Sequence, residues 1–150
     1  MDRVEGISKF ERLFRISSGL DVDKSDLKRL YNFINEKIRD MLLIAQYTAK
    51  ANDRDIIYPW DLPLTKGIEE RIHRFKKFNE ELGLDPILEG LTNAPMLDVQ
   101  YGISFEEDLA NVAGAIIVSL ADVFKVIDPD LKNPQTEHWD KAFGLYSILM

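Results

Sequence analysis

DLKRLYNFINEKIRDMLLIAQYTAKA, residues 26–51, and FEEDLANVAGAIIVSLADVFKVID, residues 105–128, decide how this chain folds. In the first stretch Leu27, Tyr31, Ile34, Ile38, Leu42, Ala45 and Ala49 recur at steps of three or four. An α-helix gathers such positions into one apolar stripe. In the second stretch Phe105, Leu109, Val112, Ile116, Leu120, Val123 and Ile127 do the same. Each of these lies 78 residues after its counterpart. At 1.5 Å per residue the first helix is roughly 40 Å long, far more than a small domain usually needs.

The punctuation around both helices agrees with this reading. Asp23 or Ser25 can cap the first. Ser104 to Glu107 has the form of a capping box for the second, and Pro129 stops it. Phe10 and Leu13 precede the first long helix, and Leu88 and Leu91 stand 78 residues later. A helical segment follows each long helix, from Pro63 onward and over Thr136 to Leu149. Lys66 to Leu82 carries Ile68, Ile72, Phe75 and Phe78 on one face and ends at Gly83, a natural C-cap. Ile56-Ile57-Tyr58 is the one β-like run, and Pro59 ends it. The chain therefore reads as short, long and short helix, twice. The expectation is an all-α single domain over 1–150. Residues 8–82 form a first half with an extended third helix, and 83–150 form a second half.

Composition limits the chemistry. The chain has 150 residues, 45% hydrophobic and 30% charged, which is ordinary for a globular domain. It has no cysteine, so disulfides, thiolate nucleophiles and cysteine zinc sites are excluded. Met1 to Gly6 has no apolar run and does not read as a secretory signal. The most apolar stretch, Val112 to Ile127, reads as too short and too charged for a bilayer. A cytoplasmic location is expected. Net charge is -7, but residues 1–80 carry 16 basic against 14 acidic side chains while 81–150 carry 3 against 12. Basic surface is thus expected in the first half only.

Arg54-Asp55-Ile56-Ile57-Tyr58-Pro59-Trp60-Asp61-Leu62 resembles the loop that follows the long helix of histones. Lys9 to Arg15, Gly19 to Asp23 and Lys132 to His138 are similar to a family of small bacterial proteins with two histone folds in one chain, the DUF1931 family. The similarity covers residues 8–150. The resemblance implies a double histone fold, fused as an intramolecular pseudodimer. It also implies that Arg54 and Asp61 form a clamp across the loop. The Ile56-Ile57 dipeptide is implied to pair with the first loop of the partner unit. Fusion would let the two long stripes bury each other, with a linker that keeps the units at high effective concentration. The second half departs from the pattern. Its loop at 129–135 has no arginine equivalent to Arg54, so Asp140 lacks that partner.

Four basic residues are candidate DNA contacts: Lys9, Arg12 and Arg15 on one face of the first helix, and Arg54. The first helices of histones face DNA, so a phosphate-binding face is implied. A solvated basic face is the plainer alternative. The counterpart segment, Asp85 to Leu91, carries Asp85 and Glu89 and no basic residue. Glu70-x-x-His73 lacks the second motif that a di-iron bundle needs, since His138 follows Gln135. Asp21, Asp23, Asp128 and Asp130 do not fit a calcium loop. No catalytic residue, cofactor, metal, small-molecule substrate or membrane role is expected. The expected partners are double-stranded DNA, another protein, or a second copy. The function expected is a non-enzymatic histone-like protein that binds DNA weakly and non-specifically through its first half. The alternative is a structural or protein-interaction assembly module with no nucleic-acid role.

Overall fold

The computed structural model describes residues 3–84, 100–101 and 105–150. Among these the chain forms five α-helices: α1 (Arg3–Ser18), α2 (Lys24–Ala51), α3 (Lys66–Leu82), α4 (Phe105–Ile127) and α5 (Thr136–Leu149). Two short strands, β1 (Ile56–Ile57) and β2 (Gln100–Tyr101), complete the inventory with a 3-10 turn at Pro59–Asp61. The helical segment expected near 85–91 and the Ser104 cap lie outside the described residues.

Local chemistry sets the helix ends. α1 stops at Gly19, whose φ of 65° an L side chain rarely adopts. Leu20 N–H then reaches back to the Phe14 carbonyl, and the Leu20 side chain is buried. Asp23 sits at the start of α2 in extended backbone but makes no side-chain cap bond. Thr65 does cap α3, accepting from Ile68 N–H through Oγ1, and Gly83 ends it in the left-handed region.

α4 runs through the centre. The sequence predicts a single buried stripe, whereas every residue from Leu109 to Ala121 is buried. The reason is that α4 alternates large and small apolar residues with few charges, so neither side of it favours water. α1, α2, α3 and α5 all pack on it. By length and composition alone, Glu107–Ile127 could cross a membrane, with a mean hydropathy of 1.8. This corrects the shorter, more charged stretch read from the sequence. Most of this helix is enclosed by the rest of the chain.

Small residues set how close the neighbours come. The ring of Phe75 on α3 lies directly over Gly114 of α4, and a Cβ there would overlap three ring carbons. Aromatic rings join the remaining layers. Trp139 of α5 is fully buried between Phe14 of α1, at 6.0 Å between ring centres, and Phe124 of α4, at 4.8 Å. Phe143 of α5 stacks on Phe33 of α2 at 4.3 Å.

The loops meet at two places. β1 and β2 pair in parallel, Ile56 opposite Gln100 and Ile57 opposite Tyr101, just ahead of α4. Elsewhere Asp21 N–H, in the loop ahead of α2, donates to the Lys132 carbonyl at 2.7 Å, in the loop after α4. The loop after each long helix thus touches the segment that precedes the other.

Gly114 gives a test in which two effects oppose each other. Helix propensity favours alanine over glycine by about 1 kcal/mol. Overpacking against Phe75 costs about 1–3 kcal/mol and should dominate, because an aromatic ring held by a full core cannot retreat. Gly114→Ala is expected to destabilise the protein in urea unfolding. Phe75→Leu added to Gly114→Ala should cost less than the sum of the two single changes. A net gain from Gly114→Ala would reject this packing.

Candidate functional site

Arg54 follows the C-terminus of α2, where Asp53 takes a positive φ of 56° and Arg54 N–H bonds the Ala49 carbonyl. This turn aims the guanidinium across the loop. Nη1 donates to Asp61 Oδ2 at 2.7 Å and Nη2 donates to Oδ1 at 2.6 Å, a fork-to-fork pair. Nη1 also reaches the Ile56 carbonyl at 3.1 Å, and Tyr58 N–H donates to Asp61 Oδ2 at 2.9 Å. The Asp61 side chain is 1% exposed and that of Arg54 29%. The hydrogen bonds from Arg54 hold the Asp61 carboxyl below its ordinary range, against the opposing effect of burial. The bond to Asp61 likewise raises Arg54. Two guanidinium nitrogens are thereby committed inside the protein, and DNA contact by Arg54 would compete with them.

The α1 face divides similarly. Phe10, Leu13 and Phe14 are fully buried, and the basic residues point elsewhere. Lys9 is half-buried, and its Nζ donates to the Gly83 carbonyl at 3.4 Å, at the C-terminus of α3. Arg15 Nε pairs with Asp21 at 3.2 Å. Arg12 is exposed, with no partner among the described residues. The Asp21–Lys132 contact also joins two loops that carry Asp21, Asp23, Asp128 and Asp130 against Lys132, so this end of the molecule is acidic even with Asp21 paired to Arg15.

Two ion-pair sets link residues far apart in sequence, and local spacing gave no sign of them. Arg71 Nε and Arg74 Nη1, both on α3, reach one oxygen of Asp122 on α4 at 3.0 and 2.7 Å. Asp140 has a partner after all: Arg29 of α2, 111 residues away, rather than an arginine in its own loop. Arg29 also lies over the Phe143 ring. His138 serves the start of α5, where its Nδ1 accepts from Gln135 N–H at 2.9 Å. His73 and Glu70 are exposed on α3, and no metal-ligating cluster occurs among the described residues.

Among the described residues, exposed apolar side chains include Ile16 on α1, Ile56 on β1 and two larger groups. One comprises Leu43, Ile44 and Tyr47 on α2, with Trp60 stacked on Tyr58 in the loop beyond. The other lies where the start of α3 meets the ends of α4 and α5. It holds an open groove of about 230 Å³, lined by Ile68, Val123, Val126, Leu145 and Leu149 among others. Tyr146 also lines the groove. Its hydroxyl is buried without a hydrogen-bond partner, and burial raises its pKa.

Residues 10–146 match the model of a domain of unknown function, DUF1931. An uncharacterized protein of Aquifex aeolicus strain VF5 is 29% identical over 125 residues, covering 83% of this chain and 73% of that protein. A crystal structure from Thermus thermophilus is similar at TM-score 0.87 and 43% identity, covering 96% of this chain and 97% of the other. A crystal structure from Aquifex aeolicus is similar at TM-score 0.85 and 25% identity, covering 100% and 99%.

Asp61 makes stability depend on pH in a definite direction. Its folded pKa is lowered, so its contribution is full above the ordinary carboxylate value of 3.8 and is lost as pH falls through the lower folded value. Asp61→Asn should lower Tm at neutral pH, on the order of 5 °C for a chain of this size. The gap between wild type and variant should close in acid below the ordinary carboxylate range. Parallel Tm curves for the two proteins across the acid range would show that the pair does not hold the loop.

Proposed function

The chain belongs to the DUF1931 family, and we propose that it is a single-chain pair of histone folds acting as a non-enzymatic, histone-like assembly module. Among the described residues α1, α2 and α3 give short, long and short helices in the first half, and α4 and α5 give a long and a short helix in the second. The parallel β1–β2 pair and the Asp21–Lys132 contact join loops across the halves, as a handshake of two such units requires.

The observation that favours a protein surface over a DNA surface is the occupancy of the basic groups. Lys9, Arg15 and Arg54 each have a partner within the chain. The paired loops near Asp21 and Asp130 would repel a phosphate backbone. Exposed apolar side chains on α2, α4 and α5 offer the surface that a protein partner covers.

Weak duplex DNA association is the second reading, and exposed Arg12 favours it together with the basic excess in residues 1–80. Phosphate contacts release counterions, so each one steepens the fall of affinity with salt by about 0.9 in log–log slope. With Arg12 the free member of the set, the slope should be near about -1. Fluorescence anisotropy against a labelled duplex over a salt series measures it. The expected result is weak binding even at about 20 mM salt, where charges are least screened, and its loss in Arg12→Gln. Tight binding with a slope beyond about -5 would instead make DNA the partner.

A further inference from the structure

α5 begins at Thr136, with Gln135 ahead of it in extended backbone. The first turn of a helix leaves N–H groups without partners inside the helix, and one common remedy is a return bond. The third side chain of the helix reaches back and accepts from the N–H of the residue ahead of the first turn. Glutamate or glutamine usually fills that place. Here it is His138, whose Nδ1 accepts from Gln135 N–H at 2.9 Å. Nδ1 can accept only while it carries no proton.

We propose that His138 is a pH-sensitive latch. While neutral it holds the loop ahead of α5, and on gaining a proton it loosens the contact between Lys132 and Asp21. This concerns the chain itself and does not depend on which partner it meets.

The loop between α4 and α5 has two side-chain anchors. Lys125 Nζ of α4 donates to the Leu131 carbonyl at 2.6 Å, and His138 holds Gln135 N–H. Between them stands the Lys132 carbonyl, which accepts from Asp21 N–H at 2.7 Å. Gln135 Nε2 ties to the Asn133 carbonyl, within the same loop. Acid leaves the ammonium anchor intact and removes the imidazole one.

Imidazole is the side chain that gains its charge between about pH 8 and pH 5. A protonated ring at this place meets the positive end of the α5 dipole and the free N–H groups of its first turn. His138 is half-buried, so the ring can turn outward to water. Several charged groups of the surrounding elements are paired with one another. Arg29 of α2 closes on Asp140, and Arg15 of α1 closes on Asp21. Glu137 on α5 favours the proton, as do Asp128 and Asp130 beyond Leu131, while Lys132 and Lys141 oppose it. With both signs present, the lost acceptor decides.

Amide hydrogen exchange on the full chain, read as protection factors, tests the latch from about pH 8 to about pH 5, above the range where most carboxylates titrate. Protection of the Gln135 and Asp21 amides should fall about five-fold, the change that loss of a capping acceptor typically makes. Val112 to Leu120 of α4 should hold their protection throughout. His138→Gln keeps an acceptor that acid does not protonate, so its profile should be flat. His138→Leu removes the acceptor and should show, at every pH, the protection that wild type reaches in acid. A flat wild-type profile overturns the proposal, as does a glutamine variant that loses protection in acid as wild type does. Wild-type protection in acid well above that of the leucine variant overturns it too.

Discussion

Between Leu109 and Ala121, α4 has no side that belongs in water. A helix that is apolar all round has to be enclosed, and the other helices are placed by that requirement. Each fully buried Leu, Ile or Val contributes about 1.5–3 kcal/mol, an upper figure since unfolded chains already bury some surface. α1 brings Phe14 against Trp139, α3 lays Phe75 on Gly114, and α5 places Trp139 against Phe124. Small residues matter as much as large ones here. Ala110, Ala113, Gly114 and Ala115 let the neighbouring helices approach closely enough for dense packing.

The uneven charge along the chain has a structural outlet in the same arrangement. The first half is basic and the second acidic, which in a linear reading suggests a surface for nucleic acid. In the fold, arginines of the first half face aspartates of the second. Arg71 and Arg74 meet Asp122, and Arg29 meets Asp140. Lys9 bonds the Gly83 carbonyl. Such partly exposed pairs contribute little stability each. Their larger effect is on register, because a wrong docking of the halves would leave like charges together.

Much of this was legible in the sequence where short-range rules apply. Lys66 to Leu82 followed from its periodicity and from Gly83. Both long helices followed from stripes repeated at fixed spacing. Arg54 and Asp61 are seven residues apart on either side of a tight loop, so a local pattern suffices to join them. The pairing of Lys9 was not legible, because the Gly83 carbonyl it reaches lies 74 residues away, whereas Arg15 pairs with Asp21 only six residues on. The burial of α4 was underestimated for a similar reason. Periodicity marks a helix's most apolar side, but only its neighbours decide whether the opposite side is covered. The partner of Asp140 lies 111 residues away and leaves no trace in local spacing.

The central claim is that one core joins both halves, so neither can open alone. Native-state hydrogen exchange of α2 and α4 amides in rising denaturant tests it most directly. If the claim holds, the slowest amides of Ile34 to Ala45 and of Val112 to Leu120 converge on one opening free energy, equal to the global value from unfolding. Two separate plateaus, with α2 opening while α4 stays protected, would contradict it.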